Sequence, residues 1–149
     1  MIPLLRKLYS LSFQDWMFLF LSLPFLVLTL LSMHVSGFNK TKTLYEKIFP
    51  LFSGKNSYQA RKSEIAMSCG RMVTAVSNRF PVKTTCLDRA VTAWAILKML
   101  DIPVELQIGV DKDHEDFTAH AWVTVDGKII INELDDNKIT ANSFTLDKC

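Results

Sequence analysis

Apolar positions crowd the start of this chain and thin into alternation toward its end. Between residues 16 and 35 no charged side chain interrupts them; only His34, Pro24 and a few hydroxyls break the run. Twenty residues rising 1.5 Å each cover about 30 Å, the hydrocarbon thickness of a bilayer. Ahead of the run, Ser12-Phe13-Gln14-Asp15 reads as a helix start. Ser12 can cap it, and Asp15 stands in the first turn, where the helix dipole favours an acid. Pro24 is expected to kink the helix. Three readings fit residues 16–35: a membrane anchor, a hydrophobic helix packed on the rest of the protein or on a partner, or a signal peptide. Asp15 and the long gap before the run suit the last poorly. Arg6 and Lys7 on one side and Lys40 and Lys42 on the other leave the orientation of an anchor open. Residues 1–10 read as a short amphipathic helix.

Residues 37–57 read as a connector, with a short helix over 43–52 and turn chemistry at Ser53-Gly54-Lys55-Asn56. Apolar residues then return at helical spacing over 63–79, as Ile65, Met67, Met72, Val73 and Val76. Ser63 and Asn78 are the expected caps, and Pro81 stops the element. A second helix is predicted from Cys86 to about Leu100, through Leu87, Ala90, Val91, Trp94 and Leu97, with Thr84 or Thr85 as its N-cap. Asp101 and Pro103 mark its exit. Beyond them the period falls to two. Residues 104–110, 119–125 and 128–134 read as strands, the last two flanking Asp126-Gly127 as a hairpin. Residues 111–116 form a charged loop that includes His114. Ile139, Phe144 and Leu146 add one more short strand. Helices first and a small antiparallel sheet after them make an α+β fold, with the Cys86 helix packed on the sheet. The pattern divides the chain into a hydrophobic helical segment over 1–57 and a folded domain over 58–149.

Composition narrows the classes. The chain has 149 residues, enough for one core, and is 49% hydrophobic and 21% charged, with much of the apolar excess in the first 35 positions. A net charge of +2 gives no reason to expect nucleic acid or a strongly acidic partner. The three cysteines, Cys69, Cys86 and Cys149, are odd in number and widely spaced. They make neither a disulfide framework nor a CxxC zinc site. A reducing, cytoplasmic setting is expected, membrane-associated if residues 16–35 anchor the chain.

The chemistry gathers at two places. Cys86 opens a helix, where the dipole favours a thiolate and the first-turn amides lack intrahelical partners and can donate to an oxyanion. Cys69, inside the preceding helix beside Gly70, reads instead as a small core residue. His120 stands in Ala119-His120-Ala121-Trp122-Val123-Thr124-Val125, where alternation sets His120, Trp122 and Thr124 on one face. A histidine within such a strand is costly to bury unless something engages it. Cysteine and histidine together are the nucleophile and base of a thiol site, which usually needs a third group to orient the imidazole. The hairpin turn decides which. A three-residue loop, Val125-Asp126-Gly127, pairs His120 with Asn132; a two-residue type I′ turn pairs it with Glu133.

Cys86-Leu87-Asp88-Arg89-Ala90, Leu97 before Ile102-Pro103-Val104-Glu105-Leu106, Ile108-Gly109-Val110, Ala119-His120-Ala121-Trp122-Val123 and Asp126-Gly127 occur in that order. Together they resemble the lasso peptide biosynthesis B proteins, specifically their transglutaminase-like cysteine peptidase part. The likeness is close over 63–134 and loose over the N-terminal apolar helices. It implies a papain- or transglutaminase-like fold over 58–149 and a catalytic triad. Cys86 and His120 match the nucleophile and base directly. The family's aspartate, about twelve residues after the histidine, is here Asn132, followed by Glu133. The asparagine is preferred by spacing, and papain-like peptidases use asparagine in this role. The resemblance further implies removal of the leader from a ribosomally made precursor peptide, with no cofactor or metal. It implies a separate small leader-recognition protein, expected also because no leader-binding domain is evident ahead of the catalytic part. An ATP-dependent macrolactam cyclase similar to asparagine synthetase would then close the ring. Two other classes compete: acyl transfer to an amine on the same fold, and a non-catalytic, membrane-associated scaffold of a maturation complex.

Overall fold

The computed structural model describes residues 12–52, 59–111, 118–131 and 143–145. The first helix, α1 (Phe13–Phe52), has one residue with non-helical backbone, Gly37, at φ 74° and ψ 176°. A side chain at this φ is strained, so glycine is the residue that allows the break. Across it the chain doubles back. Ser32 Oγ meets Thr41 Oγ1 at 2.8 Å, Thr29 Oγ1 meets Tyr45 Oη at 2.7 Å, and Tyr45 Oη donates to the Phe25 carbonyl at 3.2 Å. Widening sequence separation at constant contact is the geometry of an antiparallel helical hairpin. The helix runs through Pro24 as a helix, so the expected break falls at Gly37 instead. The connector expected over 37–57 is helical to Phe52. Its polar appearance comes from Lys40, Thr43, Glu46 and Lys47 on the exposed side of the second arm, while Thr41 and Tyr45 are buried.

A 3₁₀ turn, Gln59–Arg61, leads into α2 (Lys62–Ser77). Arg61 occupies the N-cap position without a side-chain capping bond, and Ser63 lies within the helix rather than capping it; Asn78 is the C-cap as expected. After Pro81 the chain crosses to α3 (Cys86–Met99). Leu100 closes α3, Asp101 takes a left-handed φ of 58°, and the Ile102 amide returns to the Leu97 carbonyl at 3.0 Å.

Four strands follow: β1 (Glu105–Asp111), β2 (Thr118–Val125), β3 (Lys128–Ile131) and β4 (Ser143–Thr145), in the sheet order β3-β2-β1-β4, with antiparallel neighbours. The fold is α+β as the pattern predicts, and β4 contains Phe144, one of the three residues expected in a short final strand. Asp126 and Gly127 both have positive φ, 50° and 77°, and Val125 pairs with Lys128, so the hairpin turn is the two-residue type I′ form. A bulge follows at once: Thr124 pairs with Ile129, but Val123 pairs with Ile131.

α1 packs on both α2 and α3, and α3 in turn lies on β2 and β1. The buried cluster takes Phe18 and Tyr45 from α1, Cys69 and Val73 from α2, Trp94 and Leu97 from α3, and Leu106, Ala121 and Val123 from the sheet. Trp94 is the junction: Tyr45 and Phe49 meet it edge-on, with ring centroids 6.5 and 5.4 Å away. Gly70 sets how closely α2 approaches β3, since a Cβ there would run into the Ile130 carbonyl oxygen.

Candidate active site

Cys86 is the first residue of α3 and is half-buried at the rim of the core. The helix start beneath it is tightly built. Asp88 Oδ2 accepts from the Thr85 amide at 2.8 Å and from Thr85 Oγ1 at 2.7 Å, and Thr85 Oγ1 receives the Asp88 amide at 3.2 Å. This reciprocal capping box identifies Thr85, not Thr84, as the N-cap. Thr84 instead accepts from Arg89 Nε at 3.2 Å. The next turn is held as well: Thr92 Oγ1 donates to the Asp88 carbonyl at 2.7 Å and lies 3.1 Å from Thr29 Oγ1 of α1. The thiol is therefore carried on a helix end whose backbone has little freedom.

His120 lies near the start of β2 and is half-buried. Its neighbour Ala121 is buried in the cluster against which Cys86 packs. The helix that begins with Cys86 and the strand that bears His120 are thus in direct contact. The β1–β2 register pairs Leu106 with Val123 and Ile108 with Ala121 on the core face. By alternation Gln107, Gly109, His120 and Trp122 share the other face. Trp122 Nε1 donates to Gln107 Oε1 at 2.8 Å, and its ring lies over Gly109, the residue paired with His120. Trp122 and Gln107 were not singled out as site residues from the sequence. The glycine inside the strand pattern is the signal that a bulky group approaches the backbone there.

Asn132 and Glu133, the two residues weighed for the third position, lie outside the described residues, as do His114 and Cys149. Cys69 is fully buried, and desolvation pushes its thiol well above the ordinary range, as expected of a core residue. An open groove lined by Ala60, Arg61, Glu64, Met67 and Asp126 sits at the turn end of the hairpin. It is six residues along β2 from His120, about 20 Å at the strand rise, and is closed on one side by the Lys62–Asp126 ion pair at 3.0 Å. It takes no part in the thiol site. Among the described residues no group of three or more His, Cys, Asp or Glu side chains is placed to hold a metal ion.

The family model described as the transglutaminase-like superfamily matches residues 50–143. No curated protein and no solved structure matches the chain.

Proposed function

Because the chain belongs to the transglutaminase-like superfamily, whose chemistry is that of cysteine peptidases and acyltransferases, we propose that it is a cysteine peptidase. The observation that carries this reading is Cys86 at the first position of a helix with a complete N-terminal capping box, inside the superfamily match. The register turns His120 to the sheet face opposite the one the Cys86 helix covers, so its pairing with Cys86 is proposed from the sequence resemblance. In this mechanism His120 takes the proton from Cys86 and the thiolate attacks a peptide carbonyl. Because the Asp88 amide is committed to Thr85, the oxyanion draws on amides ahead of it in the first turn. His120 then protonates the leaving amine, and water resolves the acyl-enzyme. Asn132 is the proposed third member. Its spacing of twelve residues after His120 supports it over Glu133.

The substrate proposed from the resemblance to lasso peptide B proteins is a ribosomally made precursor whose leader is removed. It is presented by a separate small recognition protein and passed to an ATP-dependent macrolactam cyclase. The catalytic residues are proposed to lie within the transglutaminase-like domain, residues 58–149. Mass spectrometry of a precursor peptide from the neighbouring reading frames, incubated with this protein and the recognition protein, tests the reading. Loss of the leader with wild type but not with Cys86→Ala or His120→Ala is expected, with Cys69→Ala active wherever it folds. An intact precursor with folded wild type and bound partner overturns it. The superfamily match also favours acyl transfer, which is distinguished by a new amide in place of a free carboxylate.

A further inference from the structure

The first arm of α1 is built inside out. The face it turns to α2 and α3 carries Asp15, Ser22 and Thr29 beside Phe18 and Leu26, all buried. The opposite face repeats large apolar side chains at helical spacing and leaves them in the open: Phe13 is 88% exposed, Phe20 71%, Leu23 50%, Leu31 61% and Val35 81%. A helix on the surface of a water-soluble domain shows the reverse, apolar residues in and polar residues out. Small and hydroxyl-bearing residues packed inward with leucine and phenylalanine outward is the arrangement of a helix whose outer surroundings are lipid. The stripe is far larger than the scattered apolar residues of an ordinary surface.

A second feature adjoins it. Ser32 and Ser36 of the first arm and Lys40, Thr43, Leu44 and Lys47 of the second line a groove of about 340 Å³ near the Leu31–Val35 end of the stripe. The two exposed ammonium groups, Lys40 and Lys47, suit a phosphate. An apolar stripe bordered by cations matches the interfacial edge of an anionic bilayer.

The arm is also pinned along its length. Asp15 accepts a hydrogen bond from Ser68 Oγ, and Arg71 lies 3.6 Å from its carboxylate. Thr29, fourteen residues on, is held by Thr92. About 21 Å of helix axis is thereby fixed to the domain, so threading the arm across a bilayer would drag α2 and α3 with it. We propose that the arm lies in the plane of an anionic phospholipid surface, its apolar stripe in the interface and a lipid phosphate in the Lys40–Lys47 groove. This stands on α1 and its attachments to α2 and α3, independent of the chemistry assigned to Cys86.

The test is flotation of the full chain with vesicles of phosphatidylcholine, with and without phosphatidylglycerol. Wild type is expected to float with the anionic vesicles and to be released by an alkaline carbonate wash. Its tryptophan emission should shift to the blue through Trp16, since Trp94 and Trp122 are already buried. Phe20→Glu/Leu31→Glu should stay unbound while unfolding like wild type, both side chains being in solvent. Lys40→Glu/Lys47→Glu should lose about thirtyfold in affinity for the anionic vesicles and little for the neutral ones. Failure of wild type to float, or full flotation of Phe20→Glu/Leu31→Glu, overturns the proposal. Resistance to carbonate overturns it in favour of a spanning helix. A lipid-independent dimer that the same double variant splits overturns it in favour of a second copy.

Discussion

Trp122 rests its six-membered ring on Gly109. The position opposite His120 in the β1–β2 ladder has no side chain, and the indole fills the place where one would stand, with Cη2 and Cζ3 2.8 and 2.9 Å from the site of a Cβ. The ring cannot simply swing aside, because its Nε1 is held by Gln107. Gly109→Ala is therefore expected to destabilise the protein by about 1–3 kcal/mol, the usual cost of overpacking, despite the entropy that alanine removes from the unfolded chain. Urea unfolding gives the magnitude, and a changed near-ultraviolet tryptophan signal shows the displaced ring. A fully stable variant with an unaltered spectrum contradicts this packing.

Gly70 makes a harder demand. A methyl group there meets the backbone of Ile130, not the end of a flexible side chain. Gly70→Ala must push α2 away from β3 and should cost more than about 3 kcal/mol, enough to abolish a cooperative unfolding transition in a marginally stable domain. Gly37→Ala is a useful contrast. Nothing lies within 4 Å of a Cβ at Gly37, so its penalty is conformational only, roughly 1–3 kcal/mol.

Tyr45 links stability to alkaline pH. It is fully buried, and desolvation outweighs its hydrogen bond with Thr29, pushing the phenol up from 10.0 to about 12. Below pH 10 the proton is held in both folded and unfolded chains, and the contribution is complete. As pH rises from 10 to about 12 the unfolded chain releases the proton and the folded chain retains it, so stability falls by roughly 2–3 kcal/mol across that window. Urea midpoints measured through this range should show the slope in wild type and lose it in Tyr45→Phe. An identical slope in both proteins would assign it to other groups.

The two described cysteines should differ sharply toward an alkylating reagent. Cys86 is half-buried at a helix end; Cys69 is enclosed and its thiol held protonated by burial. Peptide mapping after iodoacetamide treatment is expected to show Cys86 modified first, with Cys69 on the order of a hundredfold slower until denaturant is added. Equal rates in native buffer would mean that α2 opens readily.

The second half of the chain was the more legible in sequence. Its period changes from helical to alternating at Asp101, and threonine, proline and Asp-Gly sit at the element ends, so each local preference agrees with the observed structure. The register beyond the turn was not legible, because the bulge between Val123 and Thr124 leaves no residue signature. The first half hid its architecture for a different reason. Uninterrupted apolar sequence gives no face to read, and the inward side of α1 is chosen by hydroxyl pairs such as Thr29 with Tyr45 and Thr92, whose partners lie far away in sequence. Gly37 stood in the sequence as an ordinary connector glycine, and only its positive φ reveals the hairpin.

The edge-on seating of Tyr45 and Phe49 against Trp94 reaches beyond packing. One wall of the core under the thiol helix is furnished by the first fifty residues, which makes the hairpin part of the cooperative unit instead of a detachable tether. Trimming the chain back to the superfamily match would strip the cover from Trp94 and leave Thr92 facing solvent. The product is expected to be an aggregation-prone remnant with a loosened Cys86 helix, not a smaller folded domain.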